Sequence, residues 1–138
     1  MPRKISPTKK FKRKADNLFS LIIRSRGYCE AEGYGGRDCS NQLQTAHIIS
    51  RRYNSTRTDL RNAFCLCMSH HSWYTDHPRE FSKFITDTWA QDYYDGVYQK
   101  SLLVGKLDWQ ERAELLKDVY ERLQQGKLTI EEARKHEQ

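Results

Sequence analysis

The sequence predicts an α+β fold: a small metal-stabilised core of two short strands and a helix, flanked by N-terminal and C-terminal helices. Three observations predict it. Apolar residues recur at helical spacing in three separate stretches, two short β-type segments lie between them, and cysteines and histidines gather around those segments. The 138 residues fit one domain of ordinary size. Hydrophobic residues make up 37%, charged residues 30%, and the mean hydropathy is −0.92. That is polar, yet three Trp, eight Tyr and five Phe are too many for a disordered coil. No apolar run approaches the ~20 residues of a membrane span. The basic N-terminus lacks the apolar stretch of a secretory signal. A soluble, intracellular protein without a membrane partner is therefore expected.

Taken in order, residues 1–13 hold Pro2 and Pro7 without periodicity and read as a flexible basic arm. From Lys14 to about Arg26 the set Leu18, Phe19, Ile22 and Ile23 has helical spacing, and Gly27 is the stop. Residues 28–45 are Gly-rich and predict irregular structure or short hairpins. Thr45–Ile49 reads as a strand, 50–61 as a long arginine-rich loop, and Phe64–Leu66 as a second strand. A short helix over Met68–Asp76 ends before Pro78, which opens another helix carrying Phe81, Phe84, Ile85 and Trp89. The pattern over Tyr93–Gly105 assigns no element. Asp108 reads as an N-cap with Glu111 behind it, and Leu115, Leu116, Val119 and Leu123 as one apolar face ending at Gly126. Thr129 and Glu132 predict a last capped helix. The leucine and aromatic stripes read as core rather than cofactor contacts. Residues 14–78 thus form the metal-bearing domain, with 79–138 a helical extension packed on it.

The distribution of charge says more than the net +6. Residues 1–14 carry seven cations (Arg3, Lys4, Lys9, Lys10, Lys12, Arg13, Lys14) and no acid. Residues 24–79 hold eight arginines, no lysine and five acids, whereas the stretch from Glu80 on nets −3. A basic arm and an arginine-only centre both suit a polyanion, because the guanidinium fork matches phosphate.

Four cysteines without an export signal argue against a disulfide framework. Cys29 and Cys39 lie in the Gly-rich segment, and Cys67 with His70 forms a C-x-x-H pair about thirty residues later. Two such pairs, each on a turn, can close a tetrahedral zinc site. The alternative is that Cys29 and Cys39 are buried free thiols, since nine residues between them is wide for a zinc ribbon. Cys65, two residues from Cys67 on the predicted strand, is expected to face the other way as a packed thiol.

The residues around these ligands carry a resemblance. His47 stands in Ala46-His47-Ile48-Ile49, Asn62 follows fifteen residues later, and His71 nine after that. Between them, Leu66-Cys67-x-x-His70-His71 runs on to Thr75. This pattern, over roughly residues 15–78, resembles the HNH (ββα-metal) endonucleases, and is most similar to small phage-encoded members with an AHI motif. His47 matches the first His, Asn62 the Asn, His71 the last His, and His70 stands where the family has the second cysteine of its zinc half.

The resemblance implies a metal-dependent endonuclease that hydrolyses DNA phosphodiester bonds. His47 would be the general base, Asn62 would orient His47 or the loop that holds it, and His71 would bind a catalytic Mg, Mn or Ni ion. Structural zinc would sit on Cys29, Cys39, Cys67 and His70. Arg51, Arg52, Arg57 and Arg61 would hold the backbone, with Lys9, Lys10, Lys12, Arg13 and Lys14 on the arm. Ala46 departs from the pattern, because many members carry a metal ligand there; either His77, Asp76 or Asp59 assists His71, or the cation is held weakly by His71 and the substrate phosphate, or the site is degenerate. The alternatives are a non-catalytic zinc-stabilised DNA-binding module and an accessory subunit of a phage DNA-processing (packaging or recombination) assembly, docked through its acidic C-terminal helices. If phage-encoded, the protein would work in the cytoplasm of a bacterial host.

Overall fold

The computed structural model describes residues 5–137 and is α+β, with six helices and one two-stranded antiparallel sheet. The first helix, α1, spans Pro7–Arg24. Residues 7–13, expected to be part of a flexible arm, are therefore helical. Ser6 caps the helix by accepting a hydrogen bond from the Lys9 N–H at 3.2 Å. Pro7 sits at the first helical position, where its fixed φ and missing N–H cost nothing. The proline marks the start of the helix, and the cations between it and Ala15 are simply its exposed first turns. Arg3 and Lys4 lie outside the described residues. The helix ends at Ser25, and Gly27 turns the chain away with a φ of 80°.

An irregular segment leads to β1, Leu43–His47, which pairs with β2, Ala63–Cys67, in the register Leu43↔Cys67 to His47↔Ala63. β1 starts and ends two residues before its expected position, and β2 contains the expected Phe64–Leu66 with one further residue at each end. A single 3-10 turn, Leu60–Asn62, feeds β2. Helix α2, Met68–Asp76, follows β2 directly, with Cys67 as its N-cap. Then come α3 (Pro78–Thr88), α4 (Gln91–Ser101), α5 (Trp109–Gln124) and α6 (Ile130–Lys135). Helix α4 occupies the stretch where the sequence pattern assigned nothing. Asp108 and Thr129 cap α5 and α6 as expected, the latter in a complete capping box. No helix among the described residues is long and apolar enough to cross a membrane.

The sheet is buried on both faces, which explains why Ala63 to Cys67 reads as an unbroken apolar run. One face, through Ala63 and Cys65, joins Ala15, Phe19, Ile22 and Ile23 of α1, Trp109, Ala113 and Leu116 of α5, and Ala133 of α6. The other, through Phe64 and Leu66, joins Tyr74 of α2 and Phe84 and Ile85 of α3. Leu115, expected on the buried face of α5, is exposed, because Trp109, Ala113 and Leu116 set that face. The C-terminal helices thus complete one of the two cores that hold the sheet.

Candidate metal centre and histidine cleft

Cys29, Cys39, Cys67 and His70 come together, their ligand atoms all within 4.8 Å of one another. Nδ1 of His70 lies 3.7 Å from Sγ of Cys29, 3.6 Å from Sγ of Cys39 and 3.2 Å from Sγ of Cys67. Zinc bonds of roughly 2.3 Å to sulfur and 2.0–2.1 Å to nitrogen, set tetrahedrally, put sulfur and nitrogen about 3.6 Å apart. The group can hold a metal ion, and its dimensions fit zinc. Nε2 of His70 lies 3.1 Å from the Tyr34 carbonyl. A carbonyl only accepts, so Nε2 carries the proton and Nδ1 keeps its lone pair toward the sulfurs.

Local structure explains why the wide Cys29–Cys39 spacing still closes. The Glu30 N–H donates to the Cys65 carbonyl at 2.8 Å, and the Cys65 N–H donates to the Glu30 carboxylate at 2.7 Å, fastening Cys29 beside β2. Ser40 Oγ accepts from the Ser69 N–H, which anchors the Cys39 end to the start of α2. Gly35, at a φ of 68°, lies so close to Trp73 that a Cβ there would meet the ring at 3.0 Å. Burial pushes the Cys67 thiol up, but the His70 backbone N–H and ring and the contacts with Ser40 outweigh it and bring it to about 6. Cys39 is pushed up to about 12 by desolvation of its sulfur and by the neighbouring thiols Cys29 and Cys67. Holding all three sulfurs as thiolates would take a cation among them. Cys65 stays outside the group, buried beside Ala63. Strand alternation puts residues two apart on one face and so does not separate the two cysteines; Cys67 is the last residue of β2 and at the same time the N-cap of α2.

A second centre opens along the unpaired edge of β1, between α1 and α2. It is a cleft of about 480 Å³ lined by Asp16, Asn17, Phe19 and Ser20 of α1, Thr45 and His47 of β1, Arg51, and His71 of α2. His47 and His71 therefore share one cleft. The Phe19 ring supports His47, centroids 5.1 Å apart, and Nε2 of His47 donates to the Arg57 carbonyl at 3.0 Å, leaving Nδ1 as the free lone pair. Burial first, then Arg51, pushes His47 below its ordinary value, so it is neutral at pH 7. Burial does the same for His71. Nδ1 of His71 donates to Oε1 of Gln44 at 2.8 Å, which frees Nε2.

Asn62 does not touch His47. It is wholly buried and holds the ends of the loop: its Oδ1 accepts from the Ile49 N–H at 2.8 Å, and its Nδ2 donates to the Ile49 and Thr56 carbonyls, both at 3.0 Å. Its side-chain hydrogen bonds go to the loop that follows β1 and not to the His47 ring.

The remaining expected residues divide. His77 is not among the cleft residues; it stacks on Trp73 (centroids 4.7 Å apart) and donates to the Trp73 carbonyl, so it is not brought to His71. Asp59 is equally unavailable, held by Arg61 at 2.7 Å and Lys100 at 2.6 Å. Asp76 borders the far side of His71 with Gln44 and Thr75. Arg57 and Arg61, expected as free phosphate contacts, are in ion pairs: Arg57 makes two 2.8 Å bonds to Asp16, and Arg61 is bound to buried Asp59. Arg51 and Arg52 are exposed. On α1, Lys9, Lys10, Arg13 and Lys14 are exposed, while Lys12 lies over the Trp109 ring at 5.5 Å. Lys9 and Arg13 precede Asp16 and Ser20 by helical spacing, so this row of cations runs into the cleft. Sequence reasoning missed Asp16 and Gln44; Gln44 stands three residues before His47, and nothing in the motif marked Asp16. No family model matches the chain, and neither a curated protein nor a solved structure matches it.

Proposed function

We propose that the protein is a metal-dependent HNH-type DNA endonuclease, with a zinc ion on Cys29, Cys39, Cys67 and His70 holding a ββα-metal core of β1, β2 and α2. The observation that carries this reading is that two histidines, His47 and His71, line one cleft flanked by cations and set against the Cys3His group.

Hydrolysis of a phosphodiester forms a phosphorus–oxygen bond to water and breaks one to the leaving oxygen. His47 takes the proton of the attacking water on Nδ1; its fixed Nε2–H and its lowered pKa keep that atom free at pH 7. Asn62 keeps the loop after β1 closed, so the Arg57 carbonyl stays where it orients His47. Arg51 and the α1 cations hold the flanking phosphates. His71 Nε2 is the nitrogen donor of the cleft and would hold the divalent cation that, when bound, offsets charge on the phosphate; Asp16, the carboxylate of the cleft, would join it only by giving up its bonds to Arg57 and its pairing with Arg51. One imidazole and one carboxylate suit an ion such as Mg or Mn that keeps several waters.

The test is cleavage of supercoiled plasmid by zinc-loaded protein with added Mg, Mn or Ni and without. Nicking that requires the added cation supports the reading; intact plasmid with every cation overturns it. Intact but bound plasmid would instead mark a zinc-stabilised DNA-binding module. That second reading is favoured by Ala46, which offers no ligand, and by Asp16, whose oxygens both face Arg57.

A further inference from the structure

The longest run of exposed apolar side chains lies away from the histidine cleft. Leu102, Leu103 and Val104, in the turn after α4, are 53%, 67% and 100% exposed, and Leu107, Tyr98 and Tyr53 are exposed beside them. A groove of about 490 Å³ runs between this turn and the arginine loop. Ser55 Oγ donates to the Lys100 carbonyl at 2.7 Å, tying the two segments together. Among the described residues lining the groove none is acidic, and Arg52, Lys100 and Lys106 supply its charge. Lys100 is engaged by Asp59, which leaves Arg52 and Lys106 as the cations facing outward. Arg51, one residue from Arg52, lines the histidine cleft. Apolar side chains this exposed mark a binding surface. A basic rim without acids selects a polyanion, and continuity with the arginine loop puts that polyanion on the same strand path as the cleft.

We infer that the Leu102–Leu107 turn is an apolar wedge that enters DNA beside the cleft and unstacks a base step, while Arg52 and Lys106 hold the phosphates on either side of it. Wedges of this kind offset the cost of unstacking by bringing more DNA onto protein surface. Tyr53, with Arg52 over its ring at 5.7 Å, offers a flat face for an unstacked base. This rests on the reading of the protein as acting on DNA, and specifies how DNA is held.

The experiment measures binding of a short duplex carrying 2-aminopurine, without added divalent cation so that nothing is cut. Wild type is compared with a Leu103→Ser, Val104→Ser double variant. Both side chains are exposed, so the variant should melt at the wild-type temperature. The wedge predicts that wild type brightens the 2-aminopurine. It also predicts that the variant leaves the probe dark, binds about tenfold more weakly, and keeps the same salt slope because the cations are intact. Duplex bound by wild type with the probe dark overturns the wedge, whether or not plasmid is cleaved. A variant with wild-type affinity overturns it as well, as does one that changes only the self-association of free protein. A bright probe with no plasmid cleavage overturns the nuclease reading and leaves the wedge standing.

Discussion

Asn62 makes three hydrogen bonds from a fully buried side chain, each to a backbone group of the loop that His47 opens. Removing it leaves those groups unpaired, so Asn62→Ala should cost about 3 kcal/mol in urea denaturation. His47→Ala should cost far less, because the ring gives up one backbone bond and a contact with Phe19. Gln44 is a different kind of residue. It fixes which nitrogen of His71 is free, so Gln44→Leu should lower cleavage about tenfold or more with little change in stability, and Gln44→Glu should restore it. Equal loss in both variants would mean that Gln44 only fills space. The pH dependence follows from His47. Its folded pKa lies below the ordinary 6.5, so the unfolded chain takes up the proton first. Stability should be full above about 6.5 and fall as pH drops from there toward the folded value. Cleavage should hold through pH 7 and decline on the acid side.

At the scale of elements, the informative ones are those the sequence pattern misplaced or left blank. Ser6 and Pro7 are a legible helix start, but the density of lysines after them resembled a solvated tail. Asp16 and Arg57 are 41 residues apart, and Arg61 and Lys100 meet on Asp59 across a similar gap. A sequence shows such charges without their partners, so bound arginines were read as free ones. The C-terminal helices show the same limit. Arg134 of α6 is buried; it bonds both Glu30 oxygens and donates to the Leu60 and Ala63 carbonyls on either side of Asn62. Arg112 of α5 bonds Thr58 and Glu137, and Glu137 accepts from the Leu60 N–H. The acidic residues of these two helices are exposed; their inside faces hold the β2 lead-in. Arg134→Ala should therefore destabilise by about 3 kcal/mol, because the buried Glu30 carboxylate loses its closer cation and keeps only Arg26 and the Cys65 N–H, and the Leu60 and Ala63 carbonyls lose a donor. Deleting 106–138 should prevent folding rather than spare it, as circular dichroism would report.

For the molecule as a whole, the polar composition and the small sheet explain why a metal centre is worth building. The two cores meet on β2, and Cys67 ends that strand. Zinc would bind the Cys29 segment, the Cys39 segment and the first turn of α2 at one point. Chelation of zinc, or Cys67→Ser, should therefore lower the melting temperature markedly and deplete folded protein. The metal ligands and the His-Asn-His spacing were legible because they are local or carried by a motif. The cleft was not, since it is made where α1 meets the edge of β1, a contact no spacing encodes.

In the proposed function His47 and His71 act in one cleft while the cysteine-rich centre only supports them. The most direct measurement is plasmid cleavage by His47→Ala and His71→Ala proteins whose zinc content and melting temperature match wild type. Cleavage lost by at least about a hundredfold in both would agree with general-base and ligand roles. Cleavage retained in either, with fold and zinc intact, would contradict the account.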